Sequence, residues 1–265
     1  MRVPSPVGPL RAEVIGSGPI VVLQHGLCGD IRQPQEVFPR DQGFTHAALN
    51  CRGHGDSPAG DLSALTLAHF TDDLAQMIDL LPQRPIAVGG ISMGAAMALR
   101  LAVTRPDLVL ALILSRPAWV TGDAPANMQP NALAGQMLAE GVDAFDQTTT
   151  ARTLAETAPD NLASLRSFFV RPDPVVTKAL LTRISADGPG VSEQDLRHMT
   201  IPTLIMGSAE DVVHPMAHAT ELSRLIPGAL LVELPPKGRN KAAHVAACQA
   251  AILHFLKGLT DAPQI

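Results

Sequence analysis

Pro85-Ile-Ala-Val-Gly-Gly-Ile-Ser92-Met-Gly-Ala-Ala-Met-Ala-Leu99 is the stretch whose reading decides the fold. Its first part is a short apolar run bounded by a proline, the pattern of a buried strand. From Met93 to about Thr104 small and long apolar residues alternate over the length of a helix, which Pro106 closes. Between the two, Gly90-Ile-Ser92-Met-Gly94 matches G-x-S-x-G in the strand-to-helix setting that motif needs. A serine forced onto so tight a turn takes strained dihedrals, and the neighbouring backbone approaches so closely that side chains at 90 and 94 would clash. The turn lifts the hydroxyl above the sheet edge and leaves the following N–H free at a helix N-terminus. The pentapeptide alone also fits an ordinary turn, so its surroundings carry the decision.

Outward from this turn the pattern alternates. Upstream, residues 10–16 and Pro19–Gln24 read as strands, a turn and helix run from Asp30 to about Pro39, and Thr45–Asn50 is a further strand. Leu67, Phe70, Leu74, Met77 and Leu81, spaced 3, 4, 3 and 4 apart, form one stripe of an amphipathic helix that Pro82 stops. Downstream, Leu108–Leu114, Pro202–Gly207 and Ala229–Leu234 read as strands, with helices near Met216–Leu225 and Lys241–Lys257. Strand–helix alternation predicts an α/β class with a mainly parallel, doubly wound sheet. Between Pro117 and Met199 the rhythm lapses into helical patches at Ala132–Glu140 and Ala151–Ala158. Residues 1–116 and 200–265 are therefore expected to form the core and 117–199 a helical cap insertion.

Composition narrows the function classes. Aromatic residues are 3% of the 265, with one Trp and no Tyr, so the core must come from Ala, Val, Leu and Ile. A net charge of -5 and no Lys/Arg run argue against a nucleic-acid partner. Met1-Arg-Val-Pro-Ser-Pro lacks the apolar stretch of a signal peptide, and no window approaches 18 uninterrupted apolar residues, so no membrane span is expected. Cys28, Cys51 and Cys248 are odd in number and widely spaced, which does not suggest disulfides. The expectation is a soluble cytoplasmic protein with a small-molecule substrate; oligomeric state is not legible.

Four signals in register resemble the α/β-hydrolase superfamily, its lipase-like and C–C-hydrolase-like branch: His25-Gly26 after the second strand, Arg52-Gly-His-Gly-Asp-Ser57, the turn at Ser92, and an acid then a histidine after the last two strands. The resemblance implies Ser92 as nucleophile, Asp211 in Gly207-Ser-Ala-Glu-Asp211-Val-Val-His-Pro215 as supporting acid, and His244 as base. Glu210 is the acid's rival; the other family position offers only Ser115 and Arg116, which favours Asp211. Of the histidines after Asp211, His214 shares the acid's loop, His218 follows it, and His254 falls inside the last helix. His244 stands where the family's base belongs, although Ala243 replaces the glycine that precedes it in many relatives. Backbone N–H groups of Met93 and Leu27 are the implied oxyanion hole.

Other residues have two readings each. Cys28, Arg116 and Trp119 are candidates to line a substrate site, against a small buried thiol, a carbonyl-capping arginine and a packing indole. Arg171 is a weaker candidate, Lys237, Arg239 and Lys241 read as a solvated loop, and His54 reads as shaping its own loop. His214 and His218 have metal-pair spacing but no third ligand, so no metal is expected, and no cofactor. The expected activity is hydrolysis of a small carboxylic ester or lactone through an acyl-enzyme. C–C bond hydrolysis of a vinylogous diketone is the alternative, cofactor-free perhydrolysis a third, and a non-catalytic binding protein the reading from another class.

Overall fold

In the computed structural model, which describes residues 1–261, the strands are β1 (Arg2–Val3), β2 (Leu10–Ile15), β3 (Ile20–Gln24), β4 (Thr45–Leu49), β5 (Ile86–Ile91), β6 (Val109–Ser115), β7 (Thr203–Ser208) and β8 (Leu230–Leu234). They form one sheet in the order β1-β2-β4-β3-β5-β6-β7-β8. The pairs β1·β2 and β2·β4 are antiparallel and every pair from β4 to β8 is parallel. β3 and β5 are buried at every position, as strands covered on both faces must be.

The helices are α1 (Arg32–Val37), α2 (Leu67–Asp79), α3 (Met93–Thr104), α4 (Gln129–Met137), α5 (Val142–Asp146), α6 (Thr149–Thr157), α7 (Pro159–Arg166), α8 (Pro174–Ser185), α9 (Glu193–Arg197), α10 (Met216–Leu225) and α11 (Lys241–Asp261). Alternation along β3 separates two apolar cores: Val22 belongs to the cluster that includes Phe70, Met97 and Leu222 on one face, while Val21 and Leu23 share the other with Phe38, Ile252 and Leu256. α2, α3 and α10 thus cover one face and α1 and α11 the other, the doubly wound arrangement expected. α2 begins at Thr66, whose hydroxyl accepts the His69 N–H, and it buries Leu67, Phe70, Leu74 and Met77. The stripe read from sequence runs to Leu81, which is buried but lies beyond the helix.

α4 to α9 all fall between β6 and β7. This insertion has a small core of its own, with Phe145, Leu154, Leu162 and Leu165, while Leu180 and Ile184 of α8 join the main core. Trp119 helps seat it: the indole is 2% exposed and donates through Nε1 to the Asp187 carbonyl at 2.8 Å. The Asp187 carboxylate in turn accepts the Leu67 N–H at the start of α2 at 2.7 Å. Along Lys241–Thr260, α11 is long and apolar enough to cross a bilayer by composition, but Cys248, Ile252, Phe255 and Leu256 pack on the sheet.

Candidate active site

Ser92 sits between β5 and α3 at φ +55°, the left-handed region that a residue with a Cβ enters only under strain. The flanking glycines make the turn possible. A Cβ on Gly90 would lie 2.6 Å from Gly94 Cα, and one on Gly94 would lie 2.5 Å from the Gln24 carbonyl oxygen. Ser92 N–H donates to the Ser115 carbonyl at 3.0 Å, and the Ser92 carbonyl accepts from Ala95 and Ala96. Among the described residues Met93 N–H has no acceptor, which leaves it open beside the hydroxyl.

The histidine that reaches Ser92 is His214. Ser92 Oγ donates to His214 Nε2 at 2.8 Å, and His214 Nδ1 lies 3.0 Å from both oxygens of Asp211. The loop after β7 therefore carries both the aspartate and the histidine, three residues apart, and the His214 N–H also donates to Asp211 Oδ1 at 3.1 Å. The assignment of His244 to this position is corrected. Although 3% exposed, its Nδ1 donates to the Pro235 carbonyl at 2.9 Å; it makes no hydrogen bond to Ser92 and does not line the cavity. The reason is steric placement. His244 lies one turn inside α11, and the helix directs it back at the end of β8.

Asp211 is held by more than its histidine. Arg116 forks onto Oδ2 through Nε at 2.9 Å and Nη2 at 2.5 Å, and Asn161 Nδ2 donates to Oδ1 at 2.9 Å. Asn161 Oδ1 accepts the Val212 N–H at 2.8 Å, so one amide fixes both the acid and its loop. Burial opposes ionisation of Asp211, but the charge and hydrogen bond of His214, then Arg116 and Asn161, outweigh it and hold the carboxyl well below the usual range. His214 is pushed below its ordinary value, first by burial and then by Arg116 and Lys237, against the opposing pull of Asp211. It is thus neutral near pH 7, a state in which its ring can accept a proton. Arg116 Nη2 also lies 3.1 Å from His214 Nδ1, a contact of two donors once Nδ1–H points at Asp211. Glu210 turns away, paired with Arg239.

The turn Gly26-Leu27-Cys28-Gly29 closes over Ser92: a Cβ on Gly26 would lie 3.4 Å from Ser92 Cβ. Gly26 N–H donates to Gln33 Oε1 at 2.6 Å, Cys28 N–H to His54 Nε2 at 3.0 Å, and Gly29 N–H to the Gly26 carbonyl at 3.0 Å. Leu27 N–H alone has no acceptor among the described residues. His54 Nδ1 donates to the Arg52 carbonyl, and the Arg52 guanidinium forks onto buried Asp73 at 2.6 and 2.9 Å. His25 Nδ1 donates to the Gly26 carbonyl and its Nε2 accepts the Cys51 N–H. Burial keeps both imidazoles neutral, lowering His25 to about 4 and His54 well below its ordinary value. The two histidine-bearing motifs thus brace this turn.

A cavity of about 210 Å³ opens beside Ser92, lined by Leu27, Cys28, Arg116, Asn131, Phe168, His214 and Lys237 among others. Cys28 lines this cavity, and burial pushes its thiol up to about 12, so it is no thiolate nucleophile. Arg116 reaches the cavity but is committed to Asp211. Trp119 is corrected: it does not line the cavity, because its indole is engaged under the insertion. Lys237 pairs with Asp160 at 3.2 Å and Lys241 with Glu36 at 2.7 Å, so the basic loop is neutralised locally. Among the described residues no group of three His, Cys, Asp or Glu side chains is placed to hold a metal. Asn161 was not found from sequence, and no signal there could have found it, since it comes from α7, 50 residues before the acid it bonds.

A family model described as alpha/beta hydrolase fold matches residues 19–240. The chain is 28% identical to the pimeloyl-[acyl-carrier protein] methyl ester esterase of Nitrosomonas europaea over 86% of this chain and 92% of that protein. It is 26% identical to a putative carbamate hydrolase, RutD, of Pseudomonas savastanoi over 91% and 95% of the two chains. The solved enol-lactonase of Burkholderia xenovorans superposes with a TM-score of 0.72 at 23% identity, over 94% of this chain and 96% of that one.

Proposed function

The chain belongs to the alpha/beta hydrolase fold family and is a hydrolase, and on that premise we propose that it cleaves a small carboxylic ester or lactone through an acyl-enzyme on Ser92, with His214 as base and Asp211 as supporting acid. The observation that carries this reading is the hydrogen-bond relay from Ser92 Oγ to His214 Nε2 at 2.8 Å and from His214 Nδ1 to Asp211 at 3.0 Å, with Ser92 and His214 lining a cavity. In the first half-reaction Ser92 Oγ attacks the carbonyl carbon as His214 Nε2 takes its proton, and the imidazolium returns that proton to the leaving oxygen. Asp211 fixes the Nδ1–H tautomer and stabilises the charged ring without becoming protonated itself. Water then attacks the acyl-enzyme with His214 again as base. Two N–H groups left without acceptors, Met93 and Leu27, are the oxyanion donors, each such donor contributing about 3–4 kcal/mol in comparable sites.

The relatives' names support ester, carbamate and lactone chemistry alike, and all three break a carbonyl–heteroatom bond through this sequence of steps. The cavity is small, and the segment between β6 and β7, acting as a cap, supplies Asn131, Asn161, Leu165 and Phe168 to its wall, which favours a compact substrate. Labelling with a fluorophosphonate tests the reading: a single adduct on Ser92, absent in Ser92→Ala and slowed in His214→Ala, is expected. Equal labelling of wild type and His214→Ala would remove His214 from the mechanism, and no adduct on folded wild type would remove Ser92.

A further inference from the structure

Arg171 lies in the insertion, just beyond α7 and before α8, and its guanidinium reaches back to the turn over Ser92. Nη1 donates to the Cys28 carbonyl at 2.5 Å, and Nε donates to Thr177 Oγ1 at 3.2 Å. Both partners are uncharged, so within the described residues this partly buried cation is satisfied by a turn and a helix hydroxyl rather than by a carboxylate. Cys28 itself stands at φ +59°, a conformation costly for a residue with a Cβ. Its two peptide groups are each fastened by a side chain: His54 accepts the N–H at 3.0 Å and Arg171 donates to the carbonyl. The N–H immediately before, that of Leu27, is the open one.

From this arrangement we infer that Arg171 is a positioning residue for the oxyanion pocket, holding the Gly26–Gly29 turn so that the Leu27 N–H faces the Ser92 centre. The inference rests on the reading of Ser92 as nucleophile and adds that the pocket is complete only while the insertion is seated. A charge-assisted hydrogen bond to a carbonyl is stronger than a neutral one, which suits it to fixing a strained peptide. The guanidinium charge also lies close enough to add to the burial that keeps His25 and His54 neutral beneath the same turn. A displacement of an oxyanion donor by a fraction of an ångström weakens it in the transition state while leaving ground-state binding almost intact.

The test compares wild type, Arg171→Gln and Arg171→Lys, using kcat and KM on p-nitrophenyl acetate and hydrogen exchange of the peptide spanning 25–31. For Arg171→Gln a fall in kcat of about 10- to 100-fold is expected, with KM within about threefold of wild type. Exchange should quicken in 25–31 while the sheet stays protected, and Arg171→Lys should recover part of both effects. Unchanged exchange in that peptide overturns the inference whatever the rates do. A raised KM at constant kcat also overturns it, making Arg171 a substrate contact. If wild type neither turns over ester nor takes the fluorophosphonate, the hydrolase reading fails; faster local exchange in Arg171→Gln would still uphold the clamp on the turn.

Discussion

The loops after β7 and β8 carry similar residues in different arrangements. After β7, Gly207–Pro215 brings an acid and a histidine to Ser92 within four positions: Asp211 is held from other elements by Arg116 and Asn161, and His214 is held by Asp211 on the same loop. After β8, Lys237 and Arg239 are each paired with an acid, and His244 is tied to the end of its own strand. Position along the chain favours the second loop for the base; distance favours the first. The difference teaches that which histidine can serve a serine depends on where its Nε2 lies relative to the hydroxyl and on what holds its Nδ1.

The sharpest way to break this comparison is to truncate each histidine. His214→Ala is expected to lower kcat on an activated ester by on the order of 10^4-fold or more, because it removes the proposed proton acceptor. His244→Ala is expected to stay within about threefold in kcat and to cost about 1 kcal/mol in urea unfolding, the value of one partly buried hydrogen bond. The reverse pattern would return the base to the β8 loop. Asp211→Asn should come next, at about 10^3- to 10^4-fold in kcat with folding retained, since an amide favours the wrong tautomer of His214.

Arg116→Met sharpens the comparison through pH. The groups that face His214 are Asp211 on its own loop, Arg116 beyond β6 and Lys237 beyond β8; Asp211 raises its pKa, while burial, Arg116 and Lys237 lower it. The lowered value places the acidic limb of kcat/KM below the ordinary histidine range, with activity lost as pH falls through it. Removing Arg116 takes away a lowering influence, so the limb should move up in pH, with a loss near neutrality of about tenfold or less. A limb that stays in place would mean that Arg116 only orders the Asp211 loop. The smallest expected effect is that of Trp119→Phe. It loses the bond to Asp187 and should lower Tm by a few degrees, about 1 kcal/mol, with KM unchanged; a raised KM would put the indole back in the substrate site.

Much of this was legible in the sequence because it depends on local rules. Glycines at 90 and 94, the 3-and-4 spacing from Leu67 to Met77, and the apolar runs of β3, β5 and β6 each act within a few residues, and the elements form where the pattern puts them. The insertion was legible mainly as a lapse in rhythm, since its short helices depend on caps such as Thr148, Asp173 and Ser192 more than on long apolar stripes. His214 did carry a signal, its place three residues after Asp211, where one tight loop can face two side chains toward each other. Family order outweighed that signal in the sequence reading.

By itself, then, the sequence determined the α/β architecture, the strained serine turn and the loop that holds an acid after β7, because backbone conformation and hydrophobic period are properties of neighbouring residues. Only the tertiary structure decided which histidine meets Ser92, that Asn161 and Arg116 hold Asp211, and that Arg171 reaches the turn 143 residues before it. Those contacts join different loops above one sheet edge, and a hydrogen bond formed over about 3 Å depends on where each loop lands after the core has packed.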